Sequence, residues 1–523
     1  MKVLISDSLS DKGIEILKKE VEVDIKTGMS PDELKSCIGE YDALVVRSQT
    51  QVTADVIEAA ANLKIIGRAG VGVDNIDVEA ATQHGIIVVN APEGNMISAA
   101  EHTIAMMMSL SRNIPQANQS LKSGKWDRKS FTGVEVRGKT LGVVGLGRIG
   151  AEVAKRAQGM EMKILAFDPF ISEERAGELG VTLTTVDDIV QNSDYITVHT
   201  PLTKDTKNLI DKKQLDKAKP GLRVINCARG GIINEEALAE AVASGKVAGA
   251  AIDVFVNEPP LGSPLLEQDK IIVTPHLGAS TEEAQVNVAV DVAEQIINYS
   301  KGLPVQNAIN MPYVKQEVMK VLQPYLPLAE KIGRLAAQLM ENKYERIELS
   351  YSGEIADRNT GPLTVAALKG VLEFAMGSSV NYINAPVIAR ERKIKVVESK
   401  SKTSESYSNL VVLRLTNNGT VKTVAGTMVG TNPRIVQINE YSIDVLPSGH
   451  MVVALHEDHP NIIGPCCIVL GKHDINIAGM QVGRIKAGGT AIMVLNVDSE
   501  VNENILDEIR GVKGIIDAKM VYL

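Results

Sequence analysis

The sequence has few cysteines and no long apolar run. Its cysteines show no metal-ligand spacing, and a bridge between the adjacent pair would close a strained ring. They are Cys37, Cys227, Cys466 and Cys467. No run of about 18 or more apolar residues occurs, and the opening stretch MKVLISDSLSDKGIEIL lacks the apolar region of a signal peptide. We therefore expect a cytoplasmic protein with reduced thiols and no bound metal.

The sequence also has fewer basic than acidic residues. The chain carries 55 lysines and arginines against 64 aspartates and glutamates, which gives a formal net charge of −9. A field of this sign repels nucleic acid and anionic membrane surfaces, so we expect neither as a partner. Any anionic substrate must therefore meet a local group of cations.

Short apolar segments alternate with helical patterns over about the first 300 residues. These segments are KVLIS, ALVVRS, LKIIGRAG, IIVVN, TLGVVGLG, KILAFD, YITVHT, LRVINCARG, VAGAAIDVF and KIIVTP. They are bounded by glycine and lack strict alternation, which is typical of parallel strands buried on both faces. The pattern predicts an α/β fold with two doubly wound, Rossmann-like lobes.

The composition changes after residues 301–314, a segment rich in proline and asparagine that predicts a linker. The segments RIELSYSG and NLVVLRLTNNGTVKTVAGTMVG then indicate alternating strands, which predicts a mixed α+β domain over residues 308–450. Residues 451–523 have the pattern of a β-α-β-β-α-β unit, the ferredoxin-like arrangement. A total of about three or four domains agrees with the length of 523 residues, which exceeds what one core serves.

The strongest motif is the glycine loop in KTLGVVGLGRIGAEVAKRAQGMEMKILAFDP, residues 139–169. Gly145, Gly147 and Gly150 form G-x-G-x-x-G between a predicted strand and a predicted helix, where backbone N–H groups can reach a pyrophosphate. Asp168 ends the next strand and can accept hydrogen bonds from the adenosine ribose. No adjacent arginine can bind a 2′-phosphate, which favours NAD over NADP. The alternative is a glycine turn without a ligand.

Three polar residues follow successive predicted strands: Arg229 in INCARGGIIN, Glu258 in AAIDVFVNEPP and His276 in IIVTPHLGAS. The carboxyl ends of parallel strands meet at the crevice where open α/β sheets bind ligands. Imidazole can take the hydroxyl proton of a 2-hydroxy acid, a carboxylate can orient the imidazole, and a guanidinium can hold the substrate carboxylate or the developing carbonyl. Each residue alone also fits an ordinary surface ion pair, loop carboxylate or turn. Together they predict catalysis.

Five motifs resemble, in this order, those of the D-2-hydroxyacid dehydrogenases: RAGVGVDNID, GLGRIG, NCARGG, AAIDVF…NEPP and TPHLGAST. This resemblance covers residues 1 to about 307. The remaining length resembles the long-form members, which carry an intervening domain and a C-terminal ACT domain. The resemblance implies NAD-dependent oxidation of 3-phospho-D-glycerate to 3-phosphohydroxypyruvate, the first step of L-serine biosynthesis. It implies that Arg229, Glu258 and His276 are the catalytic residues.

The resemblance also implies a domain division. Residues 1–97 and 284–307 would form the substrate-binding lobe, and residues 98–283 the NAD-binding Rossmann domain. Residues 308–450 would form an intervening allosteric substrate-binding-like domain, and residues 451–523 the ACT regulatory domain. The implied assembly is a homodimer or a homotetramer.

The family's NAD contacts can be carried over to positions in both halves of the predicted nucleotide domain. They are Gly145, Gly147, Arg148, Ile149, Gly150, Asp168, Thr200, Pro201, Cys227, Ala228, Asp253 and Gly278. The resemblance implies that Asp253 contacts the nicotinamide carboxamide. It also implies that Thr200 and Pro201 line the adenine side.

Arg47 ends the apolar strand ALVVRS and Arg68 ends the apolar strand in LKIIGRAG, so both are predicted at the same cleft-facing edge of a parallel sheet. Two guanidinium groups with nearby glycine N–H groups can clamp one carboxylate and one phosphate. The substrate contacts implied by the resemblance are Arg47, Ser48, Arg68, Gly70, Arg128 and Lys129. Arg128 and Lys129 would reach across a dimer, although both also fit a solvated turn. His102, in SAAEHTIAMMM, is expected at a helix packing surface.

The resemblance implies L-serine as an allosteric inhibitor bound by the ACT domain. The family's effector positions fall on His456, Asp458 and Asn476. The glycine that usually follows the turn proline is Asn461 here, which can take a left-handed backbone but crowds the pocket. The alternative is an ACT domain used for assembly. Residues 389–402, ARERKIKVVESKSK, fit either a solvated strand or an anion-binding patch for phosphate or substrate.

Two other functions fit parts of the sequence. Another D-2-hydroxyacid dehydrogenase, such as a hydroxypyruvate or glyoxylate reductase, would share the three catalytic residues but would not need the C-terminal extension. A non-catalytic NAD-sensing module resembling a corepressor could keep the same fold. The complete catalytic set argues against that second alternative.

Overall fold

The computed structural model describes residues 1–312, 314, 316–340, 344–403 and 406–523, so the predicted linker lies partly outside the described residues. The chain forms two compact units. One contains Met1–Gln51, Ile66–Ile76 and Val89–Asn307, and the other contains Val52–Ile65, Asp77–Val88 and Ala308–Leu523. Among the described residues, no helix is long and apolar enough to cross a bilayer.

The first sheet has five strands, of which the sequence predicted four. They are β1 (Lys2–Ile5), β2 (Glu22–Ile25), β3 (Ala43–Val46), β4 (Ile65–Arg68) and β5 (Ile87–Asn90). Their order is β2-β1-β3-β4-β5, and β1 pairs in parallel with β2 and β3. Strand β3 is entirely buried, as predicted for a strand covered on both faces. Strand β2 escaped prediction because its sequence EVDI is polar and only half-buried at the sheet edge.

The second sheet is parallel and has seven strands, with the order β12-β11-β10-β9-β6-β7-β8. They are β6 (Thr140–Val144), β7 (Lys163–Phe167), β8 (Thr182–Leu183), β9 (Tyr195–Val198), β10 (Leu222–Asn226), β11 (Val247–Ile252) and β12 (Ile271–Val273). The prediction of a doubly wound α/β region is confirmed, and the short edge strand β8 is the addition. Because β10, β11 and β12 are parallel neighbours, the loops that follow them emerge side by side.

Helices connect the strands of both sheets. They are α1 (Asp11–Lys18), α2 (Pro31–Cys37), α3 (Ala54–Ala59), α4 (Val78–Gln83), α5 (Met96–Arg112), α6 (Ile114–Lys122), α7 (Arg148–Gly159), α8 (Glu173–Glu178), α9 (Val186–Asn192), α10 (Lys212–Leu215), α11 (Glu235–Ala243) and α12 (Glu282–Ser300). Helix α12 begins where the Thr281 hydroxyl accepts a hydrogen bond from the Ala284 N–H at 3.2 Å. This cap ends the loop that carries His276.

A six-stranded mixed sheet and four helices form the first part of the second unit. The strands are β13 (Arg346–Gly353), β14 (Lys395–Ser401), β15 (Asn409–Asn417), β16 (Thr420–Val429), β17 (Asn432–Ile438) and β18 (Tyr441–Val445), and the helices are α13 (Gln316–Leu322), α14 (Tyr325–Met340), α15 (Gly361–Met376) and α16 (Ala385–Glu391). The strand order is β14-β13-β15-β16-β17-β18. Asn418 and Gly419 join β15 to β16 with φ of 47° and 80°, as a tight hairpin requires.

The C-terminal part has the predicted β-α-β-β-α-β order. Its elements are β19 (His450–Glu457), α17 (Ile463–Lys472), β20 (Ile477–Arg484), β21 (Thr490–Val497), α18 (Glu503–Arg510) and β22 (Ile515–Tyr522). The antiparallel sheet has the order β20-β21-β19-β22. Alternate residues of β19 enter different cores: Val452 and Ala454 pack with α17 and α18, whereas Met451 and Val453 join the core of the six-stranded sheet. These two parts of the second unit therefore share apolar packing.

Replacing Gly370 by alanine should destabilise the second unit, although alanine normally favours a helix. At the crossing of α14 and α15, a Cβ added to Gly370 would stand 2.0 Å from the Glu330 carbonyl oxygen. Overpacking costs about 1–3 kcal/mol, which outweighs the roughly 1 kcal/mol that alanine gains over glycine in a helix. We expect Gly370→Ala to lower the free energy of unfolding measured in urea.

Gly471→Ala provides the matched control, because Gly471 of α17 has no atom within 4 Å of an added Cβ. Its stability should equal or slightly exceed that of the wild type. Wild-type stability of Gly370→Ala would contradict the close helix crossing.

Candidate active site

The glycine loop joins β6 to α7 in a form that only glycine permits. Gly145 has φ of +94°, and a Cβ added there would stand 2.6 Å from the His199 carbonyl oxygen. A Cβ on Gly150 would stand 2.0 Å from the Gly145 carbonyl oxygen. Gly147 caps α7 without a side-chain hydrogen bond, and Arg148 and Ile149 form the first turn. The N–H groups at this helix start can therefore bind a phosphate.

Two polar groups beside the glycine loop also fit a dinucleotide. Asp168 follows β7, and its carboxylate accepts hydrogen bonds from the N–H groups of Leu146 and Phe170, both at 2.9 Å. These bonds fix the carboxylate next to the loop. The Thr200 hydroxyl is buried without a hydrogen-bond partner among the described residues, and the Pro201 carbonyl accepts from a neighbouring threonine. Because buried polar groups normally have hydrogen-bond partners, this hydroxyl indicates that a ligand binds beside it.

Arg229 follows β10 in a tightly bonded turn. The Asn226 side chain accepts from the Ala228 N–H at 3.0 Å and donates to the Arg229 carbonyl at 2.9 Å. The Arg229 Nε lies 2.8 Å from Asp74, so a carboxylate from the turn after β4 orients the guanidinium. Burial raises the pKa of the neighbouring Cys227 thiol, which keeps it protonated.

Glu258 and His276 meet as the sequence predicted. The His276 Nδ1 lies 2.7 Å from one Glu258 carboxylate oxygen, and the other oxygen accepts from the Phe255 N–H at 3.1 Å. Burial alone would raise the pKa of Glu258, but these hydrogen bonds hold it below its usual value. The His276 and Glu258 side chains stay 45% and 38% exposed, so a substrate can reach the pair.

A buried carboxylate holds the loop that carries His276. Asp253 is 0% exposed and accepts hydrogen bonds from the N–H groups of Leu277 and Gly278 at 2.7 and 2.9 Å. The Thr274 hydroxyl also donates to it, and the His276 N–H donates to the Asp253 carbonyl at 2.9 Å. His276 adopts φ of +55° within this loop. The predicted contact between Asp253 and nicotinamide stays a prediction.

Arg68, the last residue of β4, is a half-buried member of the predicted substrate contacts. Its guanidinium lies over Gly70, where an added Cβ would stand 1.7 Å from Nη1. Desolvation and the nearby charges of Arg229 and Arg47 lower the pKa of Arg68 to about 10, so it remains protonated at neutral pH. Its buried Nε has no partner among the described residues. This group is suited to an anion that enters from solvent.

The loop of Arg47 and Ser48 is held by residues that sequence reasoning missed. Asp7 accepts hydrogen bonds from the Arg47 N–H at 2.6 Å and from the Thr50 hydroxyl at 2.7 Å. The Asn75 amide donates to the carbonyls of Arg47 and Thr50 at 2.8 and 2.7 Å. Asn75 lies in the VGVDNID motif, so the signal was present, but its partner was not visible in the sequence.

Arg128 and Lys129 lie in an exposed turn. The Asp127 carboxylate accepts hydrogen bonds from the N–H groups of Lys129 and Ser130, both at 3.1 Å. This placement matches the solvated-turn alternative. Their contribution to a partner's site stays a prediction.

The predicted effector residues do not come together within one chain. His450 and Ile477 both pair with Val497, so Asn476 lies at one end of the sheet. Asp458 follows β19 at the opposite end, roughly 25 Å away at the usual strand rise. His456 is 1% exposed beside Asp458, and its Nε2 has no partner among the described residues.

The remaining regulatory predictions concern two local features. Asn461 has φ of +65°, as anticipated for this turn. The basic segment 389–402 ends α16 and forms the edge strand β14. Binding of an anion there stays a prediction.

Two family models match the chain. The NAD binding domain of the D-isomer specific 2-hydroxyacid dehydrogenases matches residues 104–278, which include the glycine loop and the Glu258–His276 pair. The D-3-phosphoglycerate dehydrogenase intervening domain matches residues 321–439. The cofactor is therefore NAD.

Two solved structures share the fold. A D-lactate dehydrogenase from Aquifex aeolicus, complexed with NAD and lactic acid, has a TM-score of 0.55 at 26% identity, over 60% of this chain and 100% of that chain. A glyoxylate reductase from Paecilomyes thermophila has a TM-score of 0.55 at 29% identity, over 59% of this chain and 98% of that chain.

Three curated relatives match the whole chain, and each bears the name D-3-phosphoglycerate dehydrogenase. The Archaeoglobus fulgidus protein is 49% identical over 527 residues, 100% of each chain. The Synechocystis protein is 51% identical over 100% of this chain and 95% of its own, and the Bacillus subtilis protein is 46% identical over 100% and 99%. This likeness shows that the chain belongs to the D-3-phosphoglycerate dehydrogenase family of D-2-hydroxyacid dehydrogenases.

Proposed function

We propose that this chain oxidises 3-phospho-D-glycerate to 3-phosphohydroxypyruvate with NAD, the first step of L-serine biosynthesis. The observation that carries the proposal is the group of three arginines, Arg47, Arg68 and Arg229: burial lowers the pKa of Arg68, and the charges of the other two lower it further. Asp74 offsets part of this charge through Arg229. A substrate with a phosphate at one end and a carboxylate at the other would satisfy the remaining guanidinium donors.

The Glu258–His276 pair supplies the proton chemistry of this proposal. The glycine loop and Asp168 would hold NAD, which would supply the acceptor for the hydride that leaves C2 of the substrate. His276 would take the hydroxyl proton on Nε2, because its Nδ1 is engaged by Glu258. Glu258 would hold the ring in position and stabilise the imidazolium. Arg229 would hold the substrate carboxylate or the developing carbonyl oxygen.

A second candidate is another D-2-hydroxyacid dehydrogenase. The D-lactate dehydrogenase and the glyoxylate reductase described above have the same fold at 26% and 29% identity. The group of three arginines favours a substrate with more negative charge than lactate or glyoxylate carries. The contact between Glu258 and His276 argues against an NAD-sensing module without catalysis.

The proposal extends to assembly and location. The chain would divide into the four domains predicted above and would work in the cytoplasm as a homodimer or a homotetramer. Arg128 and Lys129, which lie in an exposed turn, would contact substrate in a partner's site.

Replacing His276 by glutamine should remove most turnover while NADH still binds. General acid–base catalysis is typically worth about 10²–10⁴-fold, and glutamine cannot take the proton. We expect kcat for NADH formation to fall within this range, with NADH affinity, measured by fluorescence titration, near that of the wild type. His473→Gln is the matched control, because the His473 Nε2 lies 2.9 Å from Glu508 in a similar pair elsewhere. Near-normal kcat in His276→Gln would disprove the assigned role.

Glu258→Gln should change the pH profile of the reverse reaction. Reduction of 3-phosphohydroxypyruvate needs the protonated imidazole of His276, and the Glu258 carboxylate stabilises that form. Its loss should move the alkaline limb of the kcat/KM profile to lower pH. Glu508→Gln is the control, because Glu508 contacts His473 instead. An unchanged profile would remove Glu258 from the proton chemistry.

L-Serine should inhibit through His456 and Asp458 of one chain and Asn476 of another, because one chain holds them at opposite ends of the sheet. We expect millimolar serine to inhibit the wild type but neither Asp458→Ala nor Asn476→Ala, with normal uninhibited turnover in both. Assemblies mixed from these two variants should regain part of the inhibition, because some pairings contain one intact site. Serine-insensitive wild-type enzyme would mean that the domain serves assembly or another ligand.

A further inference from the structure

His102 contacts the buried carboxylate that holds the loop of His276. It lies in α5, and its Nε2 is 3.2 Å from an Asp253 carboxylate oxygen. The same nitrogen is 3.3 Å from the Thr274 hydroxyl. The His102 side chain is 19% exposed, whereas that of Asp253 is 0% exposed. The helix thus brings a nitrogen donor to a carboxylate that water does not reach.

The groups that His102 contacts, the Asp253 carboxylate and the Thr274 hydroxyl, require its Nε2 to act as a hydrogen-bond donor. An ionised carboxylate can only accept hydrogen bonds, so Nε2 must carry the proton to bond with it. The Thr274 hydroxyl donates to the same Asp253 oxygen, and the Leu277 N–H also donates to it at 2.7 Å. The His102 N–H therefore lies within reach of both this oxygen and the hydroxyl that donates to it.

Asp253 needs these donors to stay ionised. Burial alone would raise its pKa, but the bonds from His102, Thr274 and Leu277 hold the pKa below the usual value. A neutral carboxyl would give up one acceptor oxygen to a proton. The N–H groups of Leu277 and Gly278, the two residues after His276, would then lose part of their bonding.

We propose that His102 is a positioning residue, which keeps the loop of His276 in its catalytic conformation by donating a hydrogen bond to Asp253. The loop includes a histidine with φ of +55°, a conformation that persists only where its surroundings hold it. Loss of the donor would loosen Asp253 and let His276 move away from Glu258. The inference rests on the role proposed above for His276.

His102→Leu tests this inference, because leucine fills similar space without a donor. We expect kcat to fall by about 10- to 100-fold, since a misplacement near 1 Å costs rates of this order. The NADH dissociation constant should stay near that of the wild type. The primary isotope effect on kcat with substrate deuterated at C2 should rise or stay at its limit, because hydride transfer becomes slower than product release.

His102→Gln is the rescue variant, since its amide keeps a neutral donor at a similar reach. It should recover most of the lost kcat. Glu101→Gln, on the exposed side of the same helix, should behave as the wild type.

Normal kcat in His102→Leu would overturn the inference. A loss that glutamine does not rescue, or one accompanied by weaker NADH binding, would also overturn it, because the effect would then arise from folding or from the nicotinamide contact. If His276→Gln also keeps normal turnover, the proposed function itself fails. If only His102→Leu does, the positioning role alone fails.

Discussion

One buried carboxylate organises the site. Asp253, which follows β11, accepts hydrogen bonds from the N–H groups of Leu277 and Gly278 in the loop after β12, and its own carbonyl accepts from the His276 N–H. Burying a charge without donors costs several kcal/mol, so carboxylate and loop specify each other. The left-handed backbone of His276 and its 2.7 Å contact with Glu258 depend on this arrangement. The residue that follows β11 therefore positions the loop that carries His276.

Charge clustering is the second constraint. A chain with a net charge of −9 nevertheless places Arg47, Arg68 and Arg229 near one another. Their mutual repulsion, added to the burial of Arg68, is unfavourable until an anion arrives, which favours a substrate that brings more than one negative group. Asp7 and Asn75 hold the backbone beside Arg47, so this repulsion does not simply open the loop.

Local patterns predicted the parts of the fold that are buried. Apolar runs bounded by glycine marked most strands of both parallel sheets, whereas the edge strands β2 and β8 escaped because these two are short and carry polar residues. The glycine loop and the three strand-end residues carried enough signal to identify the site. His102 and Asp253 meet across 151 positions of sequence, a contact that no local periodicity encodes. The register that separates Asp458 from Asn476 was hidden for the same reason.

Substrate choice tests the central claim most directly. NADH formation should be compared for 3-phospho-D-glycerate, D-glycerate and D-lactate, because D-glycerate differs from the first only by the phosphate. Each charge-assisted hydrogen bond contributes about 1.5–3 kcal/mol, so two such bonds to the phosphate predict a kcat/KM about 100-fold or more above that of D-glycerate. Equal or faster oxidation of D-glycerate or D-lactate would contradict the proposed function of the three arginines.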